Sequence, residues 1–442
     1  MLVSSLETIE RKKIGEYLKR ERKRKGIKSS LLVEDGLSQS TISNIERGVL
    51  SVDISRIIRL CEKLDIDVDQ MVHDLQEIDQ NRENVQEQLQ GIESLLAHNL
   101  STEKCLEMLN EIQNKHSMNT PYVFYLRGKC YIRTKQWDKA KLALRQSVEI
   151  CESNKDNMKS ASLYELSRVC YYTKEFDLAL EYVDQGLFHF NDTGDRKYIR
   201  YNLYIMKVYI LEAQEKFGEA LSAIIKLWEF MQEIDDMRLV LTMYEKRALF
   251  LIKLGMFEDS VEFLLEGIEK ARRNEFLDRS CELWTILSNA HLQMGKLTSA
   301  KSDIEIAIEM IENCNEKVKA YAHLTYGKVL KKEHPETAIE QFEIANRLAR
   351  SHKMLDYIVD SYILLGDCLM ESGKLKKALK EYKNAENVIT KIGNKNKELD
   401  VAWRICKCLE ELSEGKEENN KELLHEHYKN IVQLIKGLKG VV

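Results

Sequence analysis

A chain of 442 residues exceeds one ordinary hydrophobic core and leaves room for about three domains of roughly 150 residues, or for a repeat array that grows by stacking. An apolar fraction of 44% beside 31% charge excludes a disordered chain, and no apolar run reaches the roughly 18 residues that a membrane helix needs. Only two prolines occur, Pro121 and Pro335, too few for a turn-rich sandwich or barrel, so an all-α chain is expected. The start, Met1 to Glu7, has neither the apolar core nor the cleavage site of a signal peptide. Ten cysteines are scattered without a CxxC pair, as in buried, reduced thiols of a cytoplasmic protein.

Charge divides unevenly. Residues 1–64 carry 14 Lys and Arg against 9 Asp and Glu, whereas the remainder carries 53 against 63. Ten bases and two acids fall within Arg11–Lys28. A basic head on an acidic body points to a nucleic-acid partner for the head alone.

The head reads as five short helices. Ile14 and Leu18 start an apolar stripe, and Gly26 ends the first helix behind Arg22, Lys23, Arg24 and Lys25. A second helix is expected from Ser29 to Glu34, then a turn at Asp35-Gly36-Leu37. Ser38 caps a third helix from Gln39 to Arg47, which Gly48 stops. On it Ile42 and Ile45 face inward, and Gln39, Ser40, Thr41, Ser43 and Asn44 face outward. Asp53–Leu64 and Asp67–Leu75 complete the head. A short helix, a glycine turn and a second helix rich in amides and hydroxyls suit major-groove reading. Amides bond adenine bidentately, and hydroxyls bond phosphates or base edges.

Lys25-Gly26-Ile27 and the run Leu37-Ser38-Gln39-Ser40-Thr41-Ile42-Ser43-Asn44-Ile45-Glu46-Arg47-Gly48 resemble the repressor-like helix-turn-helix family. The resemblance implies DNA contacts from Ser29, Ser38, Gln39, Ser40, Thr41, Ser43, Asn44 and Arg47. It also implies a structural ion pair between Arg22 and Glu46. Where that family usually begins its second helix with Thr-Gln, this chain has Lys28-Ser29.

The body repeats. A small or aromatic anchor is followed three residues on by a large one, nine on by an aromatic or Leu, and twelve on by Ala or Ser. Copies begin at Gly128, Ser167, Val208, Ala248, Ser288, Gly327 and Gly366, the one at Gly327 being shortened. Spacings of 39 to 41 make the unit longer than the common 34 of the tetratricopeptide repeat, which the frame resembles. Upstream, Glu83–Ala97 reads as a linker helix and Glu103–Lys115 as the start of a degenerate repeat. Leu399–Leu412 and Lys421–Leu438 close the array around a charged loop, Ser413–Asn420. The expected fold is all-α: a helix-turn-helix domain over 1–75, a linker helix over 76–100, and a right-handed tetratricopeptide-repeat superhelix over 101–442 with C-terminal capping helices.

In such an array the first helix of each pair lines the concave face, which suits an extended peptide. Inward projection places Tyr125, Lys129, Tyr164, Arg168, Tyr171, Asn202, Tyr209, Glu245, Asn289, Asp360, Ile363 and Asp367 on that lining. Catalytic signatures are missing. There is no P-loop, GxGxxG or GxSxG, and His425 and His427 are two apart, unlike HExxH. Neither enzyme activity, metal nor cofactor is expected.

Head and array together resemble the RNPP quorum-sensing regulators of Gram-positive bacteria, with the NprR-like and PlcR-like members nearest. Leu32-Val33-Glu34-Asp35-Gly36-Leu37-Ser38 is one residue shorter than the usual repressor motif, as in those regulators, and Ser43-Asn44-Ile45-Glu46-Arg47-Gly48 has their ending. The resemblance implies a cytoplasmic homodimer that binds a double-stranded operator and is controlled by a short, re-imported signalling peptide on the repeat domain. Two alternatives are a Rap-like regulator that binds a response-regulator protein and a phage-type repressor without a ligand.

Overall fold

The computed structural model describes residues 9–98, 100–116, 120–151, 156–413 and 418–438. The chain start and residues 414–417 of the expected loop lie outside them. Helices α1 (Arg11–Arg24), α2 (Gln39–Glu46), α3 (Ile54–Lys63) and α4 (Val68–Ala97) build the head around Ile14, Leu18, Leu37, Ile42, Ile45, Ile57, Leu60 and Met71. The helix expected over Ser29–Glu34 is one 3-10 turn, Ser29–Leu32. Val33 turns extended, and Glu34 and Leu37 exchange backbone hydrogen bonds across Asp35-Gly36. That tight exchange leaves no room for a further helical turn. The head's last helix does not stop at Leu75. It runs to Ala97 as one 30-residue element that includes the expected linker helix. Gln and Glu, good helix formers, carry it through 76–84, and Val85, Leu89, Ile92 and Leu96 keep a buried stripe at helical spacing.

Next come α5 (Thr102–His116), then pairs α6 (Pro121–Arg133) and α7 (Trp137–Ile150), α8 (Met158–Tyr172) and α9 (Phe176–Phe188), α10 (Tyr198–Ala213) and α11 (Phe217–Trp228). These are followed by α12 (Met237–Lys253) and α13 (Phe257–Arg273), α14 (Leu277–Gln293) and α15 (Leu297–Glu309), α16 (Glu316–Leu330) and α17 (Pro335–Ser351). The last are α18 (Leu355–Glu371) and α19 (Leu375–Ile392), α20 (Lys395–Ser413) and α21 (Glu418–Leu438). The repeat frame maps onto this order. Ala140, Ala179, Ala220, Ser260, Ala300, Ala338 and Ala378 are all fully buried, one in each second helix. Glycine anchors mark where the paired helices cross most closely. A Cβ on Gly128, Gly327 or Gly366 would lie 2.4 Å from Leu144, Phe342 or Tyr382 respectively.

The chain divides into two compact units, Met1–Val169 and Cys170–Val442. In the second, successive first helices α12, α14, α16 and α18 touch along one face. The residue two before five of these second helices is left-handed: Gly255, Gly295 and Gly373 in three turns, Lys174 and Glu215 in two others. These two side chains reach across the unit. Lys174 Nζ donates to the carbonyl of Ile392 at 3.0 Å. The Glu215 carboxylate accepts from Asn394 and Asn396 at 3.3 and 3.0 Å. The start of this unit is thus fastened to the turn between α19 and α20. All ten cysteines are free, and all but Cys151 are buried.

Candidate functional site

In the head, α2 is set by its ends. The Ser38 hydroxyl accepts from the Thr41 amide at 3.1 Å, a cap that contributes about 1 kcal/mol. Arg22 then clamps the other end. Its Nε and Nη2 bond the Glu46 carboxylate at 2.5 and 3.0 Å, while Nη1 bonds the Ile27 carbonyl at 2.9 Å. This is the expected ion pair between α1 and α2. Gln39, Ser40, Ser43 and Arg47 are exposed, Thr41 and Asn44 half-buried, and Ile42 and Ile45 buried. Ser38, Ser40 and Thr41 share hydroxyl bonds of 2.7 and 2.9 Å. Arg47 Nη2 donates to Asn44 Oδ1 at 2.6 Å. The acceptor that an adenine amino group would need is therefore held by Arg47, and the two side chains work as a pair. Ser29 opens the 3-10 turn rather than a helix.

Not every base of the head faces outward for phosphate. Lys13 pairs with Asp79 at 2.8 Å and Lys25 Nζ bonds the carbonyls of Leu64 and Asp65. Together with Arg22 these hold α1 to its neighbours.

In the first unit, Lys129 pairs with Glu93 at 3.5 Å and lies over the Tyr125 ring, while Arg168 pairs with Glu165 at 2.6 Å and lies over the Tyr164 ring. Tyr125 is core, not lining, and so is Ile363 in the second unit. Asp367 is half-buried and already partnered. It accepts from Tyr382 Oη at 2.7 Å and pairs with Arg404 at 3.2 Å, against α19 and α20. Tyr171 and Asn202 are half-buried, with Tyr171 edge-on to Tyr172.

The second unit holds a cavity of about 530 Å³, within the range of ligand pockets. Its walls come from first helices alone: Glu212 of α10, Glu245, Lys246, Leu249, Ile252 and Lys253 of α12, Glu282, Ile286, Asn289 and Gln293 of α14, Lys317, Tyr321 and Lys328 of α16, and Tyr357 of α18. Of the projected residues, Glu245 and Asn289 line it. Tyr209 lies under Lys246, 5.5 Å from its ring centroid, and Asp360 pairs with Lys397 at 2.6 Å. The other lining residues lie outside the projected set, which has one position on each of α12 and α14 and none on α16. The stripe Glu245, Leu249, Lys253 repeats every fourth residue, and that spacing was the available signal. The shortened repeat supplied no candidates, yet its helix α16 contributes three.

One end of the cavity is a closed charge network. Arg279 bonds Glu245 at 2.7 Å and Glu282 at 2.5 Å, and Lys246 bonds Glu212 at 2.9 Å. Burial raises the pKa of Glu245, but Lys246 and Arg279 outweigh it and hold the carboxyl below its ordinary range. Glu282 goes the other way. Burial and the charge of Glu245 push it up to about 7, because one guanidinium serves two acids. A folded-state pKa above the unfolded value means stability that is full below about pH 4.5 and lost as pH rises through about 7. Glu282→Gln is expected to remove this loss. Its stability relative to the wild type should climb from about pH 5 to about pH 8, read by urea unfolding at each pH. A constant difference across that window would mean Glu282 is ionised throughout.

Comparison with known proteins bears on both sites. A helix-turn-helix family model matches residues 18–71, and a tetratricopeptide repeat model matches 121–154 and 359–388. No curated protein sequence matches. Among solved structures, the apo quorum sensor NprR from B. thuringiensis is 15% identical with a TM-score of 0.57, over 80% of this chain and 99% of that one. The apo form of RapI is 16% identical with a TM-score of 0.52, over 61% of this chain and 99% of that one. Aspartyl phosphate phosphatase F from Bacillus subtilis is 15% identical with a TM-score of 0.50, over 86% and 93%. At these identities the likeness is one of fold. Among the described residues, no helix is long and apolar enough to cross a membrane.

Proposed function

We propose that this chain, built as a repressor-type helix-turn-helix joined to tetratricopeptide repeats in the architecture of the RNPP regulators, is a transcription regulator controlled by a short peptide. The observation that carries the reading is the cavity walled by first helices alone, in a chain whose head exposes Gln39, Ser40 and Ser43 on a capped helix. Residues 1–75 read DNA through Ser38, Gln39, Ser40, Thr41, Ser43, Asn44 and Arg47, with Ser29 beside them. The repeats take the peptide. One head covers one half-site, so the acting form is a homodimer whose heads match half-sites about 34 Å apart or a multiple of it. The peptide acts by favouring one arrangement of the dimer. A coupling of about 1–3 kcal/mol changes DNA affinity roughly 5–150-fold.

The test is binding of the full chain to DNA from around its own gene at one fixed salt concentration, with and without a peptide fraction of spent medium. A defined footprint that the fraction strengthens or weakens supports the reading, and no footprint in either condition sinks it. Gln39→Ala and Asn44→Ala should each weaken the specific site by about 1–3 kcal/mol, roughly 5–150-fold, and leave non-specific DNA binding unchanged. Equal losses on both kinds of DNA would assign these residues to the backbone rather than to bases.

A second reading is favoured by the fold shared with RapI and phosphatase F: the repeats bind a response-regulator protein. Capture of a purified response regulator by the chain, competed by peptide and indifferent to Asn44→Ala, would support it.

A further inference from the structure

The two ends of the cavity differ in how their charges are met. At the α10–α12–α14 end every carboxylate has a cation: Glu212 has Lys246, and Glu245 and Glu282 share Arg279. At the α12–α16 end the balance is broken. Asp360 is taken by Lys397 at 2.6 Å. Lys253 and Lys328 line this end, and although the Lys253 ammonium lies over the Phe217 ring, 5.8 Å from its centroid, among the described residues neither forms an ion pair with a carboxylate. Lys328 is half-buried in the wall, and a desolvated ammonium without a counterion is unfavourable. Ile252, Ile286 and the neighbouring rings of Tyr321 and Tyr357, 6.4 Å apart, also line the cavity as an apolar and aromatic floor.

We propose that the cavity takes an anionic peptide whose carboxylate is held at the Lys253–Lys328 end, with an adjoining apolar side chain on the Tyr321–Tyr357 floor. The inference rests on the peptide-receptor reading and names the chemistry of its ligand. Its physical basis is that the incoming carboxylate supplies the counterion which the fold leaves out, and charge-assisted hydrogen bonds in a recess are the strong ones. Burial, with Lys253 and Lys397 nearby, lowers the pKa of Lys328 against the opposing pull of Asp360. Binding therefore weakens with rising pH before an ordinary lysine would titrate.

The carboxylate has two possible sources, the peptide's C-terminus or an Asp or Glu side chain, and four random heptapeptide pools separate them. The pools have free or amidated C-termini, each with or without Asp and Glu. Affinity selection on the full chain is expected to retain pools that carry a carboxylate and to reject the amidated pool without Asp and Glu. The single-source pool that is retained identifies the source. Lys253→Gln and Lys328→Gln should each lower retention about tenfold or more. Equal retention of the uncharged pool, or undiminished retention by the two variants, overturns the proposal.

Two further measurements separate this proposal from the reading it rests on. Without ligand, Lys328→Met should raise Tm by about 2 °C, since it removes an unmatched ammonium. A lower Tm would mean that the ammonium already has its partner, and the assignment would fall. If wild type retains no pool, the peptide reading fails. The anion-binding end then stands only if sulfate raises the Tm of wild type and not of Lys328→Gln.

Discussion

Gly48→Ala is expected to unfold the head and abolish specific DNA binding while the thermal transition of residues 170–442 stays where it was. Gly48 has φ of +73°, and a Cβ there would sit 2.4 Å from the Lys12 Cα. Both penalties are backbone against backbone, so no rotamer relieves them. The left-handed conformation costs about 1–2 kcal/mol for a residue with a Cβ, and forcing α1 away adds roughly 1–3 kcal/mol. Gly26→Ala is the control. Its φ is +69°, but nothing lies within 4 Å of the Cβ, so only the conformational cost applies. Hydrogen exchange in α1 to α3 together with DNA binding reads the result. Wild-type affinity in Gly48→Ala would show that α1 can retreat from α2 without disturbing the reading helix.

The second large effect concerns Arg279. Arg279→Ala leaves Glu245 and Glu282 in the cavity wall without their shared cation, and all three side chains are only 10–14% exposed. Breaking a buried pair from one side costs about 3–5 kcal/mol. The pH dependence should be the telling feature. Without the guanidinium both carboxyls move up, so the folded state binds protons that the unfolded state does not. The lost stability returns as pH falls towards about 4.5 and is most evident above about pH 7. The triple variant Arg279→Met, Glu245→Gln, Glu282→Gln should recover most of the loss. Arg279→Ala unfolding within about 1 kcal/mol of wild type at neutral pH would show that Lys246 and Lys317 suffice for both acids.

Much of this architecture is legible before any coordinates. Ser38 as cap, Gly48 as stop and the Arg22–Glu46 pair follow from residue types whose local roles are strong. The repeat frame is legible because a glycine facing Phe342 or Tyr382 leaves no substitute of another size. What escapes is context. Ser29-Ser30-Leu31-Leu32 has helical propensity, but the Glu34–Leu37 exchange captures the following backbone. Residues 76–82 show no apolar stripe, yet nothing among them breaks a helix, so α4 runs through. The cavity is legible only in part, since Lys253, Lys328 and Tyr357 come together from helices as much as a hundred residues apart and no local pattern announces that meeting.

A stack of repeats is usually a string whose ends open first, because each repeat touches only its neighbours. Lys174 bonded to Ile392, 218 residues on, and Glu215 bonded to Asn394 and Asn396 make the second unit closer to a loop with a clasp. Local contacts form early in such a chain, and a clasp of this sequence separation forms late, after the loop entropy has been met. The last event of folding is then also the first event of any opening. Protection against amide exchange should therefore be nearly level from α9 to α19 rather than falling away towards the C-terminal repeats, and whatever widens the cavity has to release the clasp first.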